Sequence, residues 1–224
     1  MHWCERLQNS PIEVLEACEN AVARAEETDE AEGVCRSERE HSVALMREFG
    51  DTLSKNVARI PKPQSIFIGE AERKPAYSVI CQILGFVETL KHDLNAQTIE
   101  LTAVRSLLLR RKRAHNEAIR ILADVGAATR RIPVTEAFFA AHLALRARLN
   151  AAQENALRIA ERASELEALL NSFCDGVLMS FCTRVEKNAD LAHDGAACNP
   201  MALIRICGEL RDAAEQFLRR LEKQ

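Results

Sequence analysis

Apolar side chains recur at alternating intervals of three and four along most of this chain. From Met46 the series continues through Phe49, Leu53, Val57 and Ile60, at steps of 3, 4, 4 and 3. A longer stripe, Ile83, Val87, Leu90, Leu94, Gln97, Leu101, Val104 and Leu108, alternates 4 and 3 without a break. A third begins at Phe138, His142, Leu145 and Leu149 and passes through Ala152, Ala156, Ile159, Ala163, Leu166, Leu170, Phe173 and Val177. The last holds Leu203, Cys207, Leu210, Ala214, Phe217 and Leu221. Such steps keep the residues on one helical face, and sustained alternation marks a heptad seam. They predict helices over about residues 11–59, 76–130, 135–191 and 200–223.

The punctuation between the stripes agrees with those bounds. Ser10-Pro11-Ile12-Glu13 opens the first helix, with Ser in the capping position and Pro at the first helical one. Gly33 weakens that helix inside the acidic segment 26–40. Pro61, Pro63 and Pro75 bound a loop over 60–75, because proline withholds the amide a helix needs. Its Ile66-Phe67-Ile68 is expected to pack back onto the helices. Arg131-Ile132-Pro133 makes a tight hairpin, the third helix ends near Asp194-Gly195, and Asn199-Pro200 caps the fourth. Helices above 50 residues far exceed the globular mean of about 12, and each would span roughly 75–85 Å. Short connections force antiparallel neighbours. The expected fold is all-α: one elongated domain over residues 1–224, an antiparallel three-helix coiled-coil bundle with a short C-terminal closing helix.

Composition narrows the picture. Only eight glycines and six prolines are too few for a turn-rich β-sandwich or barrel. No apolar run approaches the roughly 18 residues of a membrane span, and Met1-His2-Trp3-Cys4-Glu5-Arg6 lacks the apolar core of a signal peptide. The expectation is a cytoplasmic protein. Of eight cysteines none forms a Cys-x-x-Cys pair, so disulfides and zinc are not expected. Cys81, Cys174, Cys182 and Cys207 sit among apolar neighbours and read as small buried hydrophobes.

Two features are uneven along the chain. The start of the second helix is apolar nearly all round: Val79, Ile80, Cys81, Ile83, Leu84, Phe86 and Val87. Phe173, Val177, Leu178, Met179 and Phe181 in the third helix are similarly two-sided, and Met201, Leu203, Ile204 and Ile206 add more. A helix that is apolar on every side is buried on every side, so a second copy or a related helical protein is expected to cover this end. Charge is the second feature. Residues 105–162 hold twelve Lys/Arg against five Asp/Glu, a net of +7 in a chain whose total is −3. Clustered basic residues attract anionic lipid at about 1 kcal/mol per side chain.

Long antiparallel helices, an apolar end and a basic tip resemble the BAR domain of the sorting-nexin type. Arg39-Glu40-His41 followed by Phe49 and Leu53 looks like that family's first helix. Leu84-Gly85-Phe86-Val87, then Leu108, Arg110 and Arg111, is similar to its second, over perhaps residues 36–192 in all. Leu94 and the proline-rich first junction depart from the pattern. The resemblance implies a dimeric, peripheral membrane-binding module that senses or induces curvature in endosomal or vesicle trafficking. Arg110, Arg111, Lys112, Arg113, Arg130, Arg131, Arg146 and Arg148 would contact anionic phospholipid. Ile83, Phe86, Val87, Leu90 and Phe173 would hold the homodimer or heterodimer.

No catalytic signature accompanies these patterns. Glu38-Arg39-Glu40-His41 holds one Glu-x-x-His, where di-iron bundles need two. His142 occupies a seam position and reads as structural. No Gly-rich phosphate loop, nucleophile elbow or His-Glu-x-x-His occurs. No enzyme activity, metal or cofactor is expected. Nucleic acid is disfavoured too, because the chain is acidic overall, with one Trp and one Tyr for stacking. The alternative to the membrane reading is a non-membrane helical scaffold or coiled-coil adaptor that mediates protein–protein interaction. Gln97 in the seam would set register, and Ala152, Ala156 and Ala163 would let helices approach closely.

Overall fold

A computed structural model describes residues 2–60, 70–190 and 199–223. All its regular structure is helical: α1 (His2–Asn9), α2 (Pro11–Glu26), α3 (Asp29–Ala58), α4 (Glu70–Thr129), α5 (Glu136–Asn171), α6 (Met179–Asp190) and α7 (Pro200–Lys223). A π-helical segment, Ser172–Leu178, joins α5 to α6. The chain divides into two compact units, one of residues 1–35 and 102–163, the other of 36–101 and 164–224.

Several helix ends follow from their side chains. The Thr135 hydroxyl accepts the Phe138 amide at 3.2 Å and starts α5. Asn199 Oδ1 accepts the Met201 and Ala202 amides at 3.0 and 3.4 Å and starts α7. Both satisfy amides that an uncapped first turn leaves without partners. Ser10 precedes α2 as expected, but its side chain makes no capping bond.

The first long helix is two helices. The break falls at Glu27-Thr28 rather than at Gly33, which lies inside α3. Thr28 is buried and its hydroxyl accepts Asn155 Nδ2 at 2.9 Å. Asp29, Glu30 and Glu32 then fill the first turn of α3, where the helix dipole favours anions. The expected 60–75 loop is shortened from its far side: α4 starts at Glu70 and takes Pro75 within its early turns. Ile66-Phe67-Ile68 and Asp194-Gly195 lie outside the described residues.

The first unit packs α1 and α2 against the second part of α4 and the first part of α5. Its core holds Val14, Cys18, Val22, Leu122, Val125, Phe138, Leu145 and Leu149. In the second unit four helical segments close a ring. Ser42 on α3 bonds Gln97 on α4, and Arg59 reaches Gln82 at 3.1 Å. Lys91 on α4 meets Met179 on α6 at 2.9 Å, and Arg184 on α6 pairs with Glu209 on α7 at 2.5 Å. Arg47 on α3 completes the circuit with Glu222 at 2.7 Å. Helix α7 buries Leu203, Ile206, Cys207, Leu210, Ala214, Phe217 and Leu221 in this unit. Apart from Met201, which is exposed, its large apolar side chains are buried or half-buried.

The π-helical segment moves one register position. The uninterrupted stripe predicts Phe173 followed by Val177, whereas Leu178 is fully buried and Val177 only half so. An i→i+5 turn inserts a residue, so the buried face slips by one and continues through Phe181, Cys182 and Val185. Cys18, Cys174, Cys182 and Cys207 are buried free thiols. Cys81 is exposed, contrary to expectation, because it points away from the stripe carried by Ile80 and Ile83.

Candidate interaction surface

The apolar end of α4 is covered inside the chain. Of the residues expected at a dimer contact, Ile83, Val87, Leu90 and Phe173 are between 0% and 5% exposed, and Phe86 alone points outward, at 46%. Phe173 stacks on Phe217 of α7, centroids 4.3 Å apart and planes 16° off parallel. Val79 and Ile80 are buried as well. These core side chains cannot also form a surface that two copies share, and the assignment of the four to a dimer contact is corrected accordingly. At Phe173 that cover comes from α7, through Phe217.

The basic cluster is not one face. Four consecutive residues, 110 to 113, step by about 100° each and fan around the helix. Arg111 turns inward to α2, donating to Glu27 at 2.7 Å and to the Arg24 carbonyl at 2.9 Å. Arg148 on α5 is tied to Glu26 at 2.6 Å and Glu19 at 3.4 Å. That hydrogen bond holds the Glu26 carboxyl below its ordinary range, against a smaller opposing effect of burial. Arg24 returns the pairing through Glu117 at 3.7 Å. Arg110, Lys112, Arg113, Arg130, Arg131 and Arg146 are exposed. Acidic α2 and the acids at 27–32 offset the basic hairpin, and the first unit as a whole holds fourteen Lys/Arg and fourteen Asp/Glu. It is electrically balanced.

What stays open is the crevice between α4 and α5. Two hollows of about 600 and 500 Å3 follow one another along it. Leu109, Ile119, Phe139, Leu143 and Leu157 line them and are 47–61% exposed. The outward positions of the lining fall at 105, 109, 112, 116, 119, 123 and 126 on α4, with Arg130 just past its end, and at 139, 143, 146, 150, 153, 157 and 160 on α5; inner lining residues such as Leu108, Leu122, Leu149 and Ala152 belong to or border the buried stripes. Both series alternate 3 and 4, so a second heptad seam lies beside the buried one. Small side chains line both hollows: Ala123, Gly126 and Ala127 in one, Ala152, Ala156 and Ala160 in the other. Reading for one seam per helix hid the second, although the sequence carried it.

The crevice is also charged in one sense. Its lining includes Arg105, Arg111, Lys112, Arg130 and Arg146 and no carboxylate, in a unit whose charges cancel. Two histidines lie beneath it. His142 is buried, as its seam position predicts, with Nε2 at 2.9 Å from the Leu122 carbonyl oxygen. A β-carbon at Gly126 would meet that ring at 3.4 Å. His115 is buried with no partner for Nε2 among the described residues.

Glu38, from the lone Glu-x-x-His, has its carboxyl pushed up mainly by burial, with His41 pulling it down and Glu100 adding to the rise. Among the described residues no three His, Cys, Asp or Glu side chains gather as metal ligands. No described helix is long and apolar enough to cross a membrane. Comparison with protein-family models, with curated proteins and with solved structures gives no match to this chain, and none identifies it as a BAR domain.

Proposed function

We propose that this chain is a helical interaction module, a non-membrane adaptor that docks a protein partner in the α4–α5 crevice. One observation carries the reading. Five of the eleven large apolar side chains exposed among the described residues line this crevice, whereas the apolar strip at 79–90 is largely covered within the chain. Exposed apolar surface gathered into a rimmed groove is the usual mark of a binding site, while scattered exposed residues are not. A crevice between two helices is shaped to accept a third.

The membrane alternative needs a continuous cationic face. Lipid attraction of about 1 kcal/mol per basic side chain requires those side chains to reach the bilayer together. Here the run 110–113 fans around α4, and Arg111 and Arg148 are paired with Glu27 and Glu26 at the end of α2. Co-sedimentation with phosphatidylserine vesicles at physiological ionic strength tests the choice. The adaptor reading expects the protein to stay in the supernatant. Salt-sensitive pelleting that vanishes when Arg110, Lys112 and Arg113 are changed to Glu would restore the bilayer as the target.

A further inference from the structure

We infer that the occupant of the α4–α5 crevice is a single acidic amphipathic helix. The inference rests on the adaptor reading and names the chemistry of its partner. Three observations select it.

The first is shape. The lining spans residues 105–129 of α4, about 36 Å of helix, which a partner helix of roughly 25 residues would match. Leu109, Ile119, Phe139, Leu143 and Leu157 supply apolar contacts at heptad spacing, as a helix laid in a groove requires. Alanines and Gly126 in the lining let its backbone come close.

The second is charge. Five bases and no acid line the groove, and of these Arg111 is already paired with Glu27. Lys112, Arg130 and Arg146 stand exposed beside the apolar row. A helix with carboxylates flanking its apolar stripe places each next to a cation. The third is exclusion by the same charges. A second copy docking groove to groove would set Lys112, Arg130 and Arg146 against their own equivalents, and like charges brought together across an interface oppose association. Helix α2 of another copy offers carboxylates, but Ile12 is its one exposed large apolar side chain and it has no second apolar stripe.

The test uses the full chain and two fluorescein-labelled synthetic helices read by anisotropy. Both carry Leu at alternating steps of three and four; one has Glu on the flanks and its twin has Lys. The Glu helix should bind at least tenfold more tightly than the Lys twin, and its affinity should fall as salt is raised. Leu109→Glu and Leu143→Glu should each weaken it tenfold or more. The double change Lys112→Glu and Arg146→Glu should abolish the preference between the two helices, since three bases then face two acids. Phe86→Glu, in the other unit, should leave binding unchanged, and circular dichroism should report unaltered helix content throughout. Both substituted leucines are about half exposed or more, so a charge there leaves the core intact. Equal binding of the two helices, abolished by the leucine changes, would overturn the acidic occupant and leave the docking reading standing. Failure of both helices to bind, or binding indifferent to the crevice variants, would overturn the two together.

Discussion

Replacing Phe173 with Ala separates a core residue from an interface residue. Phe173 is 3% exposed and stacked on Phe217 at 4.3 Å. Truncating a buried Phe costs about 3–5 kcal/mol in lost transfer energy and cavity formation. An aromatic pair adds roughly 0.5–1.5 kcal/mol beyond area burial. The expected loss is therefore near the upper part of that range, about 4–5 kcal/mol. With an m-value of about 2.5 kcal/mol/M in urea, the unfolding midpoint falls by roughly 1.6–2 M. Phe86→Ala, at a residue 46% exposed, should cost under about 1 kcal/mol. Phe217→Ala should resemble Phe173→Ala, and the double variant should lose less than the sum because one stack is removed only once. Urea unfolding followed by far-ultraviolet circular dichroism reads all four proteins. A chain-internal core makes the midpoint independent of protein concentration, whereas a dimer contact makes it rise with concentration. A Phe173→Ala loss below about 1 kcal/mol, or a concentration-dependent wild-type midpoint that this substitution abolishes, would refute the packing of α7 described above.

Three further outcomes follow from buried polar and titrating groups. Gln97→Met removes an amide nitrogen that has no partner among the described residues, while Ser42 keeps its bond to the Glu38 carbonyl at 2.8 Å; stability should stay level or rise by about 1 kcal/mol in urea unfolding. Ellman's reagent near pH 8 should label Cys81 in the folded protein, whereas Cys18, Cys174 and Cys207, pushed by burial to about 11, about 11 and about 12, should react only after unfolding. Glu26 has a depressed folded pKa, so its contribution is present above the ordinary carboxylate value of 4.5 and fades as pH falls through the lower folded one. Glu26→Gln should thus lose under about 1 kcal/mol at neutral pH, and the difference should close in acid.

The heptad stripes made the helices and most of the core legible. Leu94, Leu101, Leu166 and Leu170 are buried where their spacing put them, and Asn199 caps α7 through its own side chain. The break at Thr28 was harder to see because it has neither Gly nor Pro. Its signal was a capping Thr before three acids, and the deciding partner, Asn155, lies far along the chain. The slip at Leu178 depends on a π-helical turn that periodicity alone does not encode. Burial and pairing at the surface depend on tertiary neighbours, which the pattern of a single helix does not carry. Phe173 is covered by Phe217 of α7, and Arg111 and Arg148 are paired with Glu27 and Glu26, partners that lie far along the chain from them. Leu109, Ile119, Leu143 and Leu157 were overlooked because each falls just outside the main stripe of its helix.

Methyl-resolved NMR of the Ile- and Leu-labelled chain, titrated with the unlabelled Glu-flanked helix, locates the docking surface directly. Shifts confined to Leu109, Ile119, Leu143 and Leu157, with Leu203, Leu210 and Leu221 of α7 unmoved, are the predicted result. Perturbation centred on α7, or none at a saturating excess of the helix, would contradict the account.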